Sequence, residues 1–488
     1  MTDDGRRDPA ASAPDGDRVG GAAGGTARRR DASRRVDAGR LASANLRRWL
    51  TPGIGVKRWL LLAFVGLLIL TLGIAHVIRQ ATRDLEPGGI AGVILDAITL
   101  QFLPYPVRGL LVGIVGLVLL GFGALRTIRA LTAPFLPTRG GGRLVELIYQ
   151  RKSLARGPRV VVIGGGTGQS TILRGLKEHT SNLTAIVAVA DDGGSSGVLR
   201  EELGIPPVGD IRRCLAALAD AENLVGEVLE HRFAGSPTDA APECGGALGG
   251  HPGGNILLAA MTQLEGGDFE EGIRRANRVL AVRGQVLPAA ATPLTLHART
   301  RDGRIVDGQS LITRTTGIAR AWVTPESVAA CSDALAAIAE ADLIVLGPGS
   351  LYTSLLPSLL LPEIRDGVAA SPALRIYVCN VATQDGETAE LDLAGHVEAL
   401  IAHAGAGIVD VVLANNRPGD PASLRPPSEP VRLRWPPALS GAPRLVLDDV
   451  VEDGAAQRHD PDRLAAAVMR ILDREGSARR RLAVPRTA

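Results

Sequence analysis

A chain of 488 residues can bury a substantial core and still carry a tail or a membrane segment. Its net charge of +3 is unevenly divided: residues 1–58 hold 13 Lys/Arg against 7 Asp/Glu, and the remainder holds 41 against 44. An acidic body with 3% aromatic residues lacks the basic, stacking surface that nucleic acid requires, so no nucleic-acid partner is expected.

In chain order, residues 1–50 are rich in Gly, Ala, Arg and Asp and nearly devoid of large apolar side chains, which predicts a disordered basic tail. Residues 51–130 hold two apolar runs. The first, about 59–77, reads WLLLAFVGLLILTLGIAHV and matches the roughly 20 residues that span a hydrocarbon core. The second, about 105–125, includes GLLVGIVGLVLLGFGAL between Arg108 and Arg126. Basic residues gather before the first run (Arg47, Arg48, Lys57, Arg58) and after the second (Arg126, Arg129, Arg139, Arg143). That distribution predicts a two-helix transmembrane hairpin in the plasma membrane, with the tail and the C-terminal domain both in the cytoplasm. A cleaved signal peptide does not fit an apolar run that starts after nearly 60 residues.

A Pro/Gly-rich linker over 131–157 leads into a domain predicted for 158–475. Apolar strands near 159–163, 185–190, 342–346, 375–380 and 410–414 alternate with helical stretches. The fold class that follows is α/β, a Rossmann-like, mostly parallel sheet with helices on both faces and ligands at the carboxyl ends of its strands. Between about 286 and 323 the pattern changes to an alternation around Asp302-Gly303, which predicts a hairpin within a small β-rich insertion. Residues 476–488 read as a basic C-terminal tail. Cys214, Cys244, Cys331 and Cys379 have neither CxxC nor zinc spacing and read as reduced structural thiols.

The stretch VVVIGGGTGQSTILRGL at 161–177 runs from strand to glycine loop to helix, so the amides of Gly165, Gly166, Thr167 and Gly168 can face an anion at a helix N-terminus. The dinucleotide fingerprint GxGxxG fails at Gln169 and GK[ST] is missing, which disfavours a NAD-dependent oxidoreductase and a Walker loop. The second strand ends in ADDGGSSG. There Asp191 and Asp192 can meet sugar hydroxyls or a divalent cation, and Gly193 and Gly194 supply a nest of backbone donors. Taken singly, Asp210 and Asn255 read as helix caps, and His251 as a loop residue or a base. Gly347, Gly349 and Ser350 read as a strand–helix turn or an anion site, and Asn380 as a loop anchor or a ligand contact. Arg283 reads as a diphosphate clamp or a surface ion pair. No GxSxG, HExxH or nucleophile–base pair at motif spacing is present, so the loops look built for binding.

From Val160 onward the chain resembles the gluconeogenesis factor family (YvcK-like), relatives of the CofD 2-phospho-lactate transferases. The glycine loop and ADDGGSSG stretch carry the resemblance, followed in the same order by GGNILLAAMT, VRGQVLP, ADLIVLGPGSLYTSLLP and YVCNVATQDGET. It implies a nucleotide-sugar-binding domain that takes UDP-N-acetylglucosamine and influences carbon metabolism, cell shape and envelope synthesis, with no cofactor required. Carried over by position, Gly165 to Gly168 would cradle the phosphates, Asp191 and Asp192 would face sugar hydroxyls, and Asp210 and Asn255 would close the pocket. Gly347 to Ser350 and Asn380 would line the other wall. The CofD side implies the alternative: transfer of a phosphoester from a nucleoside diphosphate carrier to a hydroxyl acceptor, with Mg²⁺ held by Asp191 and Asp192. A membrane-anchored regulator with a UDP-sugar ligand, a homo-oligomeric state and an unidentified protein effector is the expected whole. The hairpin is foreign to the soluble members, and Gln169 and the GHPGGN loop depart from the family's usual residues.

Overall fold

The computed structural model describes residues 153–220, 222–234, 248–417, 423–424, 426–435 and 443–483, with isolated positions at 67, 71, 104, 107 and 114. The chain divides into two compact units, residues 1–138 and 139–488. The tail expected at 1–50 and the hairpin expected at 51–130 lie outside the described residues apart from those isolated positions. Among the described residues no helix is long and apolar enough to cross a membrane.

The second unit opens with β1 (Val160–Gly164) and α1 (Gly166–Leu176), followed by β2 (Leu183–Val187). Among the described residues α2 (Gly194–Leu203), α3 (Gly209–Leu218), α4 (Glu222–Glu230), α5 (Gly253–Leu264) and α6 (Phe269–Val279) come next. After β3 (Gln285–Pro288) stand β4 (Thr295–Thr300), β5 (Ile305–Asp307), the short α7 (Gln309–Ile312) and β6 (Ile318–Thr324). Then come α8 (Ser332–Glu340), β7 (Leu343–Leu346), a π-helix over Leu351–Leu355 that continues as α9 (Leu356–Leu359), and α10 (Pro362–Ala370). The last elements are β8 (Leu374–Val378), α11 (Leu393–Ala404), β9 (Val411–Asn415), β10 (Arg444–Asp448), β11 (Val451–Glu452), β12 (Ala455–His459) and α12 (Pro461–Ala483).

Seven strands form one parallel sheet in the order β10-β9-β8-β7-β1-β2-β3. The expected Rossmann-like class therefore holds. Every residue of β1, β2 and β7 is buried, as expected for strands covered on both faces, and this explains why VVVIG and LIVL carry no alternation. From β1 the chain first builds β2 and β3 on one side and then crosses back to place β7 on the other. The switch point thus falls between β1 and β7, where a crevice opens at the carboxyl edge.

Three boundaries differ from expectation. The strand QVLP at 285–288 belongs to the main sheet, paired parallel with β2, so the insertion begins at Thr295 and not near 286. The insertion itself is a three-stranded antiparallel sheet in the order β5-β4-β6, with its tight turn at Asp302-Gly303. The C-terminal tail expected from 476 is helical as far as Ala483, because α12 continues the turn pattern begun at Pro461.

Candidate functional site

At the switch point lies a cleft of ≈ 540 Å³ walled by the loops after β1, β2, β7 and β8, by the α7 segment and by the end of β12. β1 ends at Gly164, Gly165 is extended, and Gly166 takes φ +67 as α1 begins. At the start of α1 Asp210 takes the Gly166 amide, and the amides of Thr167 and Gly168, like those of any first helical turn, have no preceding helical carbonyl to meet. Gly168 is required by close approach: a Cβ there would overlap the Pro348 carbonyl and lie 2.9 Å from Gly349 Cα. The two glycine loops interlock, tied by Gly347 N donating to Ile163 O at 2.9 Å.

The adjacent acids separate. Asp191 faces the cleft, its Oδ1 accepting from Gly193 N at 3.0 Å. Burial raises its pKa, and the neighbouring Asp210 and Asp192 charges add to the rise. Asp192 turns to the insertion, where its Oδ1 accepts from Ser310 N (2.9 Å) and Ser310 Oγ (2.7 Å) at the start of α7. Successive residues of an extended segment point to opposite sides, which accounts for the division. Asp210 also lines the cleft and pairs with Arg213 at 2.7 Å. Burial raises its pKa, opposed by Arg213 and by the Gly166 amide that it accepts from.

On the opposite wall, Asn380 spends its amide on the backbone of Gly349, accepting from N at 3.1 Å and donating to O at 2.9 Å, so it anchors this loop. Ser350 Oγ accepts from Gln384 Nε2 at 2.6 Å. Behind it the buried Glu387 accepts from Tyr352 N and from Thr353 Oγ1, each at 3.2 Å. Burial pushes the Glu387 carboxyl up to about 7.

Besides Asp192, five expected site residues do not line the cleft, among them Gly347, which follows β7 and is bonded to Ile163. Gly193 and Gly194 begin α2 beside Asp191 without lining the cleft. Asn255 lies in a buried network: its Oδ1 accepts from Arg212 Nη1 (3.1 Å) and its Nδ2 donates to Ser195 Oγ (2.9 Å). Ser195 Oγ in turn shares a hydrogen bond of 2.7 Å with His251 Nδ1. Arg212 completes the network with a two-pronged contact to Glu230 at 3.2 and 2.9 Å. Asn255 thus braces the ADDGGSSG loop from behind. Arg283 precedes β3 at the amino edge of the sheet, opposite the cleft, and pairs with Asp220 and Glu178. A diphosphate clamp at Arg283 is therefore ruled out by strand direction.

Sequence reading missed Arg213, Gln384, Glu387, Arg458 and His459. Arg213 and Arg458 are the cations of the cleft wall, and Arg458 also pairs with Glu452 at 3.0 Å. The available signal for Gln384 and Glu387 was their place in the loop after β8, at the same sheet edge as the glycine loops. His459 is buried and burial depresses its pKa to about 4, against 6.5 when exposed. It contributes stability in full above pH 6.5, and that contribution is lost as pH falls toward 4. Between pH 7 and 5 the loss should be about 2 kcal/mol. Urea unfolding of wild type and His459→Gln at both pH values checks this: the variant should show the shallower decline, and parallel declines would refute it.

Fold and site together define a doubly wound α/β protein with two glycine loops at its switch point. The family profile of 2-phospho-L-lactate transferase CofD matches residues 160–433. A gluconeogenesis-factor relative from Nostoc sp. (strain PCC 7120) is 41% identical over 435 residues, which cover 87% of this chain and 92% of the relative. The gluconeogenesis factor of Bacillus subtilis (strain 168) is 50% identical over 260 residues, covering 53% of this chain and 79% of the relative. The X-ray crystal structure of a Bacillus halodurans protein superposes with a TM-score of 0.59 at 42% identity, covering 64% of this chain and 100% of that one. The chain belongs to the gluconeogenesis factor family, within the wider CofD family.

Proposed function

We propose that the cleft binds a nucleotide sugar, UDP-N-acetylglucosamine, and that the chain is a regulator held at the cytoplasmic face of the plasma membrane by the apolar runs at 59–77 and 105–125. The observation that carries this reading is the amino terminus of α1, where the Thr167 and Gly168 amides are left open beyond the one that Asp210 takes, facing a cleft of ≈ 540 Å³ between two interlocked loops. The dipole and free amides favour a diphosphate there, and Arg213 and Arg458 add positive charge. The hydroxyls of Ser350, Thr353 and Ser354 suit a sugar, and the volume falls within the roughly 300–1,000 Å³ of small-molecule sites. The anchor is supported by the Nostoc relative, whose 435-residue match is longer than the 139–488 unit and so reaches into the N-terminal one.

A second reading has its own observation. Asp191 and Asp210 share the cleft wall closely enough to raise one carboxyl's pKa, an arrangement that a Mg²⁺ ion on a diphosphate leaving group would relieve. In this CofD-like transferase the pair at the cation would be Asp191 and Asp210, since Asp192 is committed to Ser310.

Calorimetric titration of the full chain in lipid nanodiscs, with and without Mg²⁺, separates the two. The regulator binds UDP-N-acetylglucosamine without metal and releases it intact, and Asp191→Ala weakens binding by about tenfold, the value of a lost hydrogen bond to a charged group. Asp192→Ala, acting only through Ser310, should weaken it less. Absence of heat with UDP-sugars, together with Mg²⁺-dependent binding of GDP, would overturn the regulator and favour the transferase.

A further inference from the structure

The two strand–loop–helix units at the switch point look alike in sequence, GGGTG after β1 and GPGS after β7. In the structure their helix starts are not equivalent. At the start of α1 Asp210, paired with Arg213, takes only the Gly166 amide, whereas the helical segment beginning at Leu351 is met by Glu387, itself 3% exposed and delivered from the loop after β8. Its carboxylate accepts from Tyr352 N and Thr353 Oγ1 at 3.2 Å each, and also from the Ser350 hydroxyl and the Thr353 amide. Those four donors are the ones a phosphate would otherwise take. The titratable groups packed around the carboxylate are Tyr352 and Tyr377, and Arg301 lies beyond Tyr352. No cation among the described residues forms an ion pair with it. A buried carboxylate without a counterion is maintained only by such donors.

We propose that Glu387 is a positioning and specificity residue: its carboxylate occupies the donor cluster of Ser350, Tyr352 and Thr353 as a built-in anion, so a ligand's diphosphate is confined to the α1 side and its uncharged portion lies along the β7 side. This rests on the nucleotide-sugar reading and narrows it to ligands with a single anionic cluster. Ser350 and Thr353 line the cleft while bonding Glu387, so the cluster would be reachable once the carboxylate is gone.

The test uses inorganic pyrophosphate, titrated into the full chain in nanodiscs at pH 8, where a carboxyl pushed up to about 7 is ionised. Glu387→Ala empties the cluster and Glu387→Gln removes the charge while preserving shape. Each folded variant should take one equivalent more than wild type, with the Gln variant binding it more weakly. A variant that is folded by circular dichroism and keeps the wild-type stoichiometry overturns the proposal, because a purely structural role leaves the count unchanged. UDP-N-acetylglucosamine is titrated into wild type in parallel. If that sugar fails to bind while the pyrophosphate count rises as stated, the ligand assignment falls and the role of Glu387 stands.

Discussion

Gly168→Ala should weaken UDP-N-acetylglucosamine binding by at least about 100-fold while leaving a folded protein. The added methyl would overlap the Pro348 carbonyl and approach Gly349 Cα to 2.9 Å, and both obstacles are backbone. Neither loop can retreat freely: Gly347 is bonded to Ile163, and Gly349 is held on both sides by Asn380. Relief therefore comes from shifting the first turn of α1 away from β7, which moves the amides of Thr167 and Gly168 off the anion position. Overpacking of this kind costs roughly 1–3 kcal/mol of stability. Binding suffers more, because a donor displaced by an ångström no longer meets its acceptor. Gly226→Ala in α4, where an added Cβ meets nothing within 4 Å, is the control and should bind like wild type. Calorimetry and thermal unfolding on the same preparations decide the matter. Wild-type affinity in Gly168→Ala would mean that α1 is not where the ligand's charge sits.

Arg212→Ala should produce the largest loss of stability among these changes, about 2–5 kcal/mol in urea unfolding. Arg212 is 2% exposed, and its guanidinium joins Glu230 to Asn255, hence to Ser195 and His251. Truncation leaves the Asn255 carbonyl without its donor in a buried site and opens a void where the stem lay. Glu230 is 47% exposed at its side chain and can turn to water, so the carboxylate supplies only a minor part of the cost. Arg212→Met, which fills the void, should recover about half of it. In a double-mutant cycle with Asn255→Ala the losses should fall well short of additive, since both changes break one network. A loss below about 1 kcal/mol would show that the network is dispensable.

The buried strands VVVIG and LIVL, the glycine loop that ends the first of them and the hairpin turn at Asp302-Gly303 were legible because each is set by residue type over a few neighbours. Side-chain direction was not legible in the same way. Asp191 and Asp192 are adjacent and chemically identical, and only Ser310, 118 residues away from Asp192, settles which of them leaves the cleft. Arg283 looked suited to phosphate, yet parallel strand direction places it at the wrong edge of the sheet. Residues 286–288 read as part of the insertion because the pattern changes at about 286. They belong to an edge strand, where Pro is tolerated. Glu387 was overlooked for a related reason: nothing in QDGET says that its carboxylate reaches back to residues 350–353.

The placement of β7 beside β1 also governs the birth of the molecule. On a translating ribosome β2 follows β1 closely, but the other edge of β1 waits for Leu343, roughly 180 residues later, or roughly 10–40 seconds at about 5–20 residues per second. Throughout that interval VVVI presents an unpaired, wholly apolar strand edge, the kind that recruits foreign strands. Nascent chains are therefore most vulnerable to misassociation before β7 emerges, and truncations ending ahead of Leu343 should accumulate as insoluble material dependent on chaperones. The geometry that builds the crevice also keeps the centre of the sheet open until β7 arrives, with β8, β9 and β10 still to follow.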